Sequence, residues 1–191
     1  REGSAIEDFM RPNRVIVGFE NEKSKKIMEN IYQPLYLIQT PILFTDLKSA
    51  ELIKYASNSF LAMKISFINQ MADLCEVLNA DVHSISRGIG LDKRIGDKFL
   101  HPGPGYGGSC FPKDTIALSK IASDNNIDLS IIDNVITYNA NRKKSLIKKL
   151  NNILGNKMKE TSIAVLGLSF KPGTDDMRES PSLDLVPSLV E

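Results

Sequence analysis

Cysteine is scarce in this chain of 191 residues, which contains only Cys75 and Cys110. Two cysteines do not form the disulfide framework of a small secreted protein, so we expect free thiols in a reducing cytoplasm. No apolar run approaches the ~20 residues of a membrane helix, and no signal-like segment opens the chain. The net charge of +1 gives no electrostatic case for a nucleic-acid or membrane partner. The composition is that of a soluble globular protein, and no metal site is predicted.

Glycine, by contrast, is concentrated in one stretch, residues 103–108, which leads directly to Cys110. Glycines let the backbone approach a ligand closely. Apolar, helix-compatible sequence follows, so Cys110 is predicted at or just before a helix start, where the helix dipole and Lys113 favour the thiolate. With Asp114 as an acid or base, the stretch is typical of a nucleophilic cysteine. The alternative is a tight turn ending in a buried structural cysteine, and the residues alone leave both open.

Gly103, Gly105 and Gly108 also match the G-x-G-x-x-G pattern of dinucleotide-binding domains. That pattern is informative only between a strand and a helix of a βαβ unit. Residues 97–102, which precede the glycines, do not have the composition of a buried strand. We therefore predict that this stretch is not a dinucleotide fingerprint.

Two short apolar runs, residues 14–18 and 41–45, flank a helical pattern at residues 24–36. Strand, helix and strand in this order indicate an α/β arrangement, so residues 1–45 are predicted to be the tail of an α/β domain. The chain starts without a methionine in a loop-like segment and ends in an apolar, helix-like one. We therefore expect it to be a fragment of a longer protein.

No proline or glycine occurs from Leu47 to Leu78, which predicts one long helix that begins after an N-cap at Asp46. Its apolar residues, with Cys75 among them as a core residue, spread around most of the helix. Most sides should then be buried, and we expect a homodimer in which a second copy covers this helix. Lys54 and Asn58, at positions i and i+4, share one face. The alternative for this pair is an ordinary solvated face.

Further helices are predicted at residues 82–90, with Asp81 as the N-cap, and at residues 115–123 and 130–154. The last of these is rich in Asn, Lys and Arg, which we place on its outer face. Residues 46–155 then form an all-α middle domain built on the long central helix.

The C-terminal end is predicted to open a second α/β domain, residues 156–191. Residues 161–167 have the composition of a buried strand, and Ser180–Pro181 that of a helix start. The predicted fold class is therefore α/β ends flanking an all-α middle domain.

Four motifs, spaced over nearly the whole chain, resemble those of the UDP-glucose/GDP-mannose dehydrogenase family. They are REGSA at residues 1–5, Lys54-x-x-x-Asn58 on a long helix, GYGGSCFPKD at residues 105–114 and FKPGTDDMRES at residues 170–180. The resemblance implies a central domain of the 6-phosphogluconate-dehydrogenase-like helical dimerisation type. It also implies an NAD-dependent, two-step oxidation of the C6 alcohol of a nucleotide sugar to a carboxylate.

The resemblance implies a role for each catalytic residue. Cys110 would be the nucleophile that adds to an aldehyde intermediate. Asp114 and Lys54 would handle protons and the water that hydrolyses the thioester, while Lys54 and Asn58 would stabilise oxyanions. Glu2 matches a glutamate near the substrate and the cofactor.

The resemblance also implies binding residues. Phe170 and Lys171 would contact the nucleotide sugar, and Arg94 would reach the site of the other subunit. Lys113 and Arg178 would contact NAD. The remaining implied substrate residues lie in one loop: His101, Gly103, Gly105, Tyr106 and Gly107. Taken singly, Arg94 and Arg178 have the alternative of surface salt bridges, worth ~0–1 kcal/mol each.

The family's N-terminal half, with its glycine fingerprint and first catalytic glutamate, is not in this sequence. We therefore expect the chain alone to have no dehydrogenase activity and negligible affinity for NAD. The resemblance implies UDP-glucose as the substrate, since the run around Cys110 is similar to that of dehydrogenases acting on an unmodified hexose and not to that of dehydrogenases acting on N-acetylated sugars. GDP-mannose is the alternative. An alternative of another class is a helical dimerisation module without a working thiol.

Overall fold

The computed structural model of the chain describes residues 3–190, apart from the side chains of residues 36–38. No described helix is both long and apolar enough to cross a membrane. The chain divides into two compact units, one up to Ser57 and the other from Asn58. The elements in chain order are α1 (Ala5–Met10), β1 (Val15–Gly18), α2 (Glu22–Tyr32), β2 (Ile42–Thr45), α3 (Leu47–Leu78), α4 (Val82–Gly90), α5 (Phe111–Asp124), α6 (Ser130–Leu154) and α7 (Ser182–Val190), with 3₁₀ segments at Gln33–Ile38 and Gly155–Glu160.

The first unit contains a small parallel sheet, as the strand–helix–strand pattern predicted. β1 pairs in parallel with β2, with Val15 opposite Ile42, and α2 connects the two strands. The N-cap of α2 is Asn21, whose side chain accepts a hydrogen bond of 2.9 Å from the N–H of Ser24. The helix ends at Tyr32 and not near residue 36. The chain continues as a 3₁₀ turn that contains Pro34, which lacks an N–H and at which the sequence predicts an end or a kink.

The long helix α3 has the predicted bounds. Asp46 caps it by accepting a hydrogen bond of 2.9 Å from the N–H of Ser49. Cys75 is 4% exposed and lies in the core, as predicted. The buried face of α3 consists mostly of small residues, which let neighbouring elements approach closely: Ser59, Ala62, Ser66, Ile68, Asn69, Ala72 and Cys75.

Another stripe of α3 carries large apolar side chains that are exposed. Phe60 is 56% exposed, Phe67 46% and Leu74 48%. They lie seven residues apart, so they follow one side of the helix. Within one chain the helix is therefore not buried on most sides, and the second copy that would cover it stays a prediction.

The second unit also contains α4, α5, α6 and α7. α4 and α6 have the predicted bounds, and α5 begins at Phe111, earlier than predicted. Asp81 caps α4 by accepting two backbone hydrogen bonds. The apolar core contains Ala62 of α3, Tyr106 of the loop before α5, and Val135 of α6. The glycine-rich loop is thus part of the packed core.

The prediction that α6 turns its polar side chains outward is wrong for three residues. Asn139 is 6% exposed, Arg142 7% and Lys143 6%. Each of the three side chains has a specific polar partner. Such partners make the burial possible, because a buried polar group without one is strongly unfavourable.

The prediction of a buried strand at residues 161–167 is also wrong. No strand is assigned among the described residues of the second unit, and Leu166 is 95% exposed. A strand forms only through hydrogen bonds to a neighbouring strand, so composition alone cannot create one. The α/β prediction therefore holds at the N-terminal end, while the C-terminal end contributes α7, which contains Pro187.

Candidate active site

Cys110 lies at the N-terminus of α5, as the sequence predicted. It is the N-cap residue, and its C=O accepts a hydrogen bond of 2.9 Å from the N–H of Asp114. Its side chain is exposed, with Sγ 3.8 Å from Oγ of Ser109. Pro112 fits the first turn because that position needs no N–H. The thiol is therefore open to solvent and close to the positive end of a helix dipole.

Asp114 lies one turn further along α5 and is 1% exposed. Its carboxylate accepts a hydrogen bond of 2.5 Å from Nδ2 of Asn58 and lies 3.4 Å from Nζ of Lys113. A buried carboxylate needs such partners because burial disfavours its charge. Asn58 thus connects α3 to the turn that begins at Cys110. Lys54 is exposed and lies one turn before Asn58 in the same helix.

A cavity of about 420 Å³ lies beside this helix start. Phe111, the neighbour of Cys110 in the chain, lines it, whereas Cys110 itself does not. Nζ of Lys171 lies 5.2 Å from the centre of the Phe170 ring at the cavity. Seven of the predicted substrate residues line this one cavity: His101, Gly103, Gly105, Tyr106, Gly107, Phe170 and Lys171.

The glycine-rich loop packs directly against the loop that precedes α7. The N–H of Gly108 donates a hydrogen bond of 2.7 Å to the C=O of Arg178. A Cβ on Gly107 would overlap the carbonyl oxygen of Glu179. A Cβ on Gly108, where φ is +80°, would lie 2.6–2.9 Å from atoms of the Phe170 ring. Both positions therefore need glycine.

Arg94 and Arg178 share one local geometry. Each guanidinium binds, through Nε and Nη2, the carboxylate of the aspartate two residues earlier, Asp92 or Asp176. The hydrogen bond from Arg178 lowers the pKa of Asp176 to about 2, and the one from Arg94 lowers the pKa of Asp92. Arg94 is 89% exposed, so the aspartate orients the arginine without burying it.

Three predicted residues, Arg94, Arg178 and Lys54, are not among the described residues that line the cavity. Lys54 belongs to the first compact unit. Glu2 lies outside the described residues, so its predicted role is not addressed by the structure.

The sequence patterns did not predict three side chains that bind the backbone of the glycine-rich loop: Asn69, Asn139 and Arg142. A signal for two of them was available. Asn139 and Arg142 continue the helical spacing of the buried residues Ile132 and Val135 along α6. A polar residue in step with an apolar stripe indicates a buried polar contact.

Family models match the three parts of the chain. The central domain of the UDP-glucose/GDP-mannose dehydrogenase family matches residues 48–141, its NAD binding domain residues 1–36, and its UDP binding domain residues 164–191. The chain belongs to the UDP-glucose/GDP-mannose dehydrogenase family.

Individual relatives agree with this. The chain is 52% identical to a UDP-glucose 6-dehydrogenase of Rhizobium meliloti, over 99% of the chain and 44% of that protein. It is 51% identical to a UDP-glucose 6-dehydrogenase of Bacillus subtilis, over 96% of the chain and 41% of that protein. The solved structure of a UDP-glucose dehydrogenase from Pyrobaculum islandicum matches with a TM-score of 0.90 and 37% identity, over 100% of this chain and 43% of that one. The chain thus spans less than half the length of these relatives.

Proposed function

We propose that the whole protein oxidises UDP-glucose to UDP-glucuronate in two steps, with Cys110 as the covalent nucleophile. The observation that carries this proposal is the single cavity lined by seven predicted substrate residues beside the helix that Cys110 caps. Identities of 52% and 51% to UDP-glucose 6-dehydrogenases favour UDP-glucose over GDP-mannose as the substrate.

The thiol of Cys110 allows two oxidations at one carbon. The C6 alcohol first loses a hydride and a proton and becomes an aldehyde. The thiolate adds to the aldehyde carbon, and loss of a second hydride from the adduct gives a thioester. Water then attacks the thioester carbon, the thiolate leaves, and the carboxylate is released.

The neighbouring side chains suit the proton and charge steps. Asp114 is buried one turn from Cys110 and is held by Asn58, so its carboxylate is fixed where a proton would have to move. Lys54 and Asn58, one turn apart on α3, would supply an ammonium and an amide to stabilise the oxyanion that forms when sulfur or water attacks.

The cavity suits a nucleotide sugar. Phe170 offers an aromatic face, and the Lys171 ammonium 5.2 Å from the centre of that ring offers a charge for a pyrophosphate. His101 adds a second polar group at the same cavity, and the glycines keep its wall free of side chains. Arg94 remains a proposed contact to the other subunit's substrate, oriented by Asp92.

NAD is the proposed cofactor of the whole protein. The parallel pair β1–β2 is an α/β piece, and the family's NAD binding domain matches only residues 1–36. Arg178, 62% exposed and oriented by Asp176, would hold a cofactor phosphate. Lys113 and Glu2 stay proposed cofactor contacts because of their places in the family motifs. NAD, when bound, would accept one hydride in each of the two oxidations, so two NAD would be reduced per substrate.

A substrate panel on the full-length protein tests the proposal. We expect two NADH per UDP-glucose and, for GDP-mannose, a kcat/KM lower by about 10²-fold or more, because the nucleotide and the sugar both differ. NADH formation is followed by absorbance, and UDP-glucuronate by chromatography. Preference for GDP-mannose would assign the protein to the other branch of the family, and the absence of turnover with any nucleotide sugar would contradict the proposal.

We also propose that the protein is a homodimer and a cytoplasmic enzyme. Residues 46–155, which include α3, would form its central domain. The exposed stripe of Phe60, Phe67 and Leu74 supports this. Three large apolar side chains along one side of a helix are unfavourable in water, and a second copy of the same stripe would bury them.

The substitution Phe67→Glu is expected to convert the dimer to a monomer, because it would place a charge in the middle of this stripe. Sedimentation velocity at micromolar concentration measures the change. The matched control is Ile131→Glu, which introduces the same charge at a 65% exposed apolar residue of α6 and should leave the dimer intact. A Phe67→Glu protein that sediments like the wild type would contradict the proposed interface.

A further inference from the structure

Side chains of α3 and α6 bind the backbone of the glycine-rich loop at two residues. The N–H of Gly103 donates to Oδ1 of Asn69 at 2.7 Å, and its C=O accepts from Nε of Arg142 at 2.9 Å. The N–H of Tyr106 donates to Oδ1 of Asn139 at 2.8 Å, and its C=O accepts from Nδ2 of Asn139 at 3.0 Å. The side-chain amide of Asn139 thus binds both the backbone N–H and the backbone C=O of Tyr106. Gly103 is bound by one side chain from α3 and one from α6.

All three side chains are buried, with Asn69 1% exposed, Asn139 6% and Arg142 7%. A loop backbone can normally bind water at the surface, so it does not require buried partners. Nδ2 of Asn69 has no hydrogen-bond partner among the described residues. A buried donor in that state is destabilising, and an apolar side chain would fill the core more favourably. The free energy of folding therefore does not explain why an asparagine at position 69 binds the N–H of Gly103.

Arg142 is itself fixed by a carboxylate. Asp73 of α3 accepts a hydrogen bond from Nη1 of Arg142, while Oη of Tyr138 and Nζ of Lys149 lie 3.0 Å and 3.3 Å from the same carboxylate. Burial opposes the charge of Asp73, but the hydrogen bond and charge of Arg142 outweigh it and lower its pKa. Because the guanidinium is planar and rigid, fixing Nη1 also fixes the direction of Nε toward Gly103.

The backbone held in this way is the wall of the proposed substrate cavity. Gly103, Gly105 and Tyr106 all line it. At Gly105, where φ is +117°, an added Cβ would lie 2.9 Å from Oδ1 of Asn139, so the chain passes directly over that amide. Cys110 follows in the same loop. The position of the wall therefore depends on the side chains beneath it.

We infer that Asn69, Asn139 and Arg142 are positioning residues, which fix the loop backbone in the shape that receives the nucleotide sugar. The inference rests on the proposed function, because that function assigns the loop to the substrate. Loosening the loop should raise KM for the nucleotide sugar and leave KM for NAD unchanged. A purely structural role would instead lower the folded fraction and leave both KM values unchanged.

The first variant is Asn139→Asp in the full-length protein. It keeps an acceptor for the N–H of Tyr106 but places a carboxylate oxygen against the C=O of Tyr106. We expect KM for UDP-glucose to rise about tenfold or more, because small displacements of a binding wall have large effects. The matched control is Asn141→Asp at an exposed position of the same helix, which should behave like the wild type. A folded Asn139→Asp protein with unchanged KM for UDP-glucose would overturn the inference.

If Asn139→Asp does not fold, a second variant and a measurement on the wild type still test the inference. Arg142→Lys keeps a cation for Asp73 but loses the fork that also reaches Gly103, so KM for UDP-glucose should again rise. In the wild type, hydrogen exchange at the N–H groups of Gly103 and Tyr106 should be slow relative to the exposed loop residue Gly173. Fast exchange at both amides, or unchanged KM in a folded Arg142→Lys protein, would refute the inference.

Failure of the proposed function gives a different result. If the wild type oxidises no nucleotide sugar, the function is wrong. The exchange rate of the Tyr106 N–H and the alkylation rate of Cys110, compared between Asn139→Asp and Asn141→Asp, still measure whether Asn139 fixes the loop.

Discussion

The Cys110→Ser variant of the full-length protein is expected to form UDP-glucuronate slower than the wild type by on the order of 10³-fold or more. A serine hydroxyl remains protonated at neutral pH and is a weak nucleophile, so the aldehyde would not be captured as a covalent adduct. The position is suited to this chemistry because Cys110 is exposed and caps α5 beside the cavity. Product formation by chromatography, with NADH counted in parallel, measures the loss.

Cys75→Ser is the matched control, because it makes the same chemical change at a cysteine that is 4% exposed in the core. The folded Cys75→Ser protein should retain the turnover of the wild type. In the native wild type, iodoacetamide should label Cys110 and leave Cys75 unlabelled. Added UDP-glucose should slow the labelling of Cys110. Retention of most turnover by Cys110→Ser, or inertness of both cysteines, would instead support a structural role for Cys110.

The Gly107→Ala variant is expected to lower the free energy of unfolding by about 2–3 kcal/mol, as overpacking of a tight core contact does. The new Cβ would overlap the carbonyl oxygen of Glu179 and lie 3.2 Å from Cα of Ser180. Both are backbone atoms, so no side chain can rotate away and the loop before α7 has to move. Urea unfolding measures the loss, and limited proteolysis should show faster cleavage within residues 168–181.

Gly103→Ala is the stability control, because a Cβ there meets no atom within 4 Å. Its free energy of unfolding should stay within about 0.5 kcal/mol of the wild-type value. Equal destabilisation by the two alanines would mean that the glycine-rich loop does not pack against Glu179 as described.

The sequence by itself determined the features that depend on near neighbours along the chain. The bounds of α3, α4 and α6, the caps at Asp46 and Asp81, and the place of Cys110 at a helix start were all predictable. Caps, helix breakers and glycine turns act over a few residues, so their free energies can be judged from local sequence.

Only the tertiary structure decided which distant segments meet. It brought the loop at residues 101–107 and Phe170 to one cavity, and it buried Asn139 and Arg142 against that loop. It also left residues 161–167 without a strand, although their composition predicted one. The physical reason is that a buried polar side chain or a strand is stable only with its partner in place, and the partner lies far away in sequence.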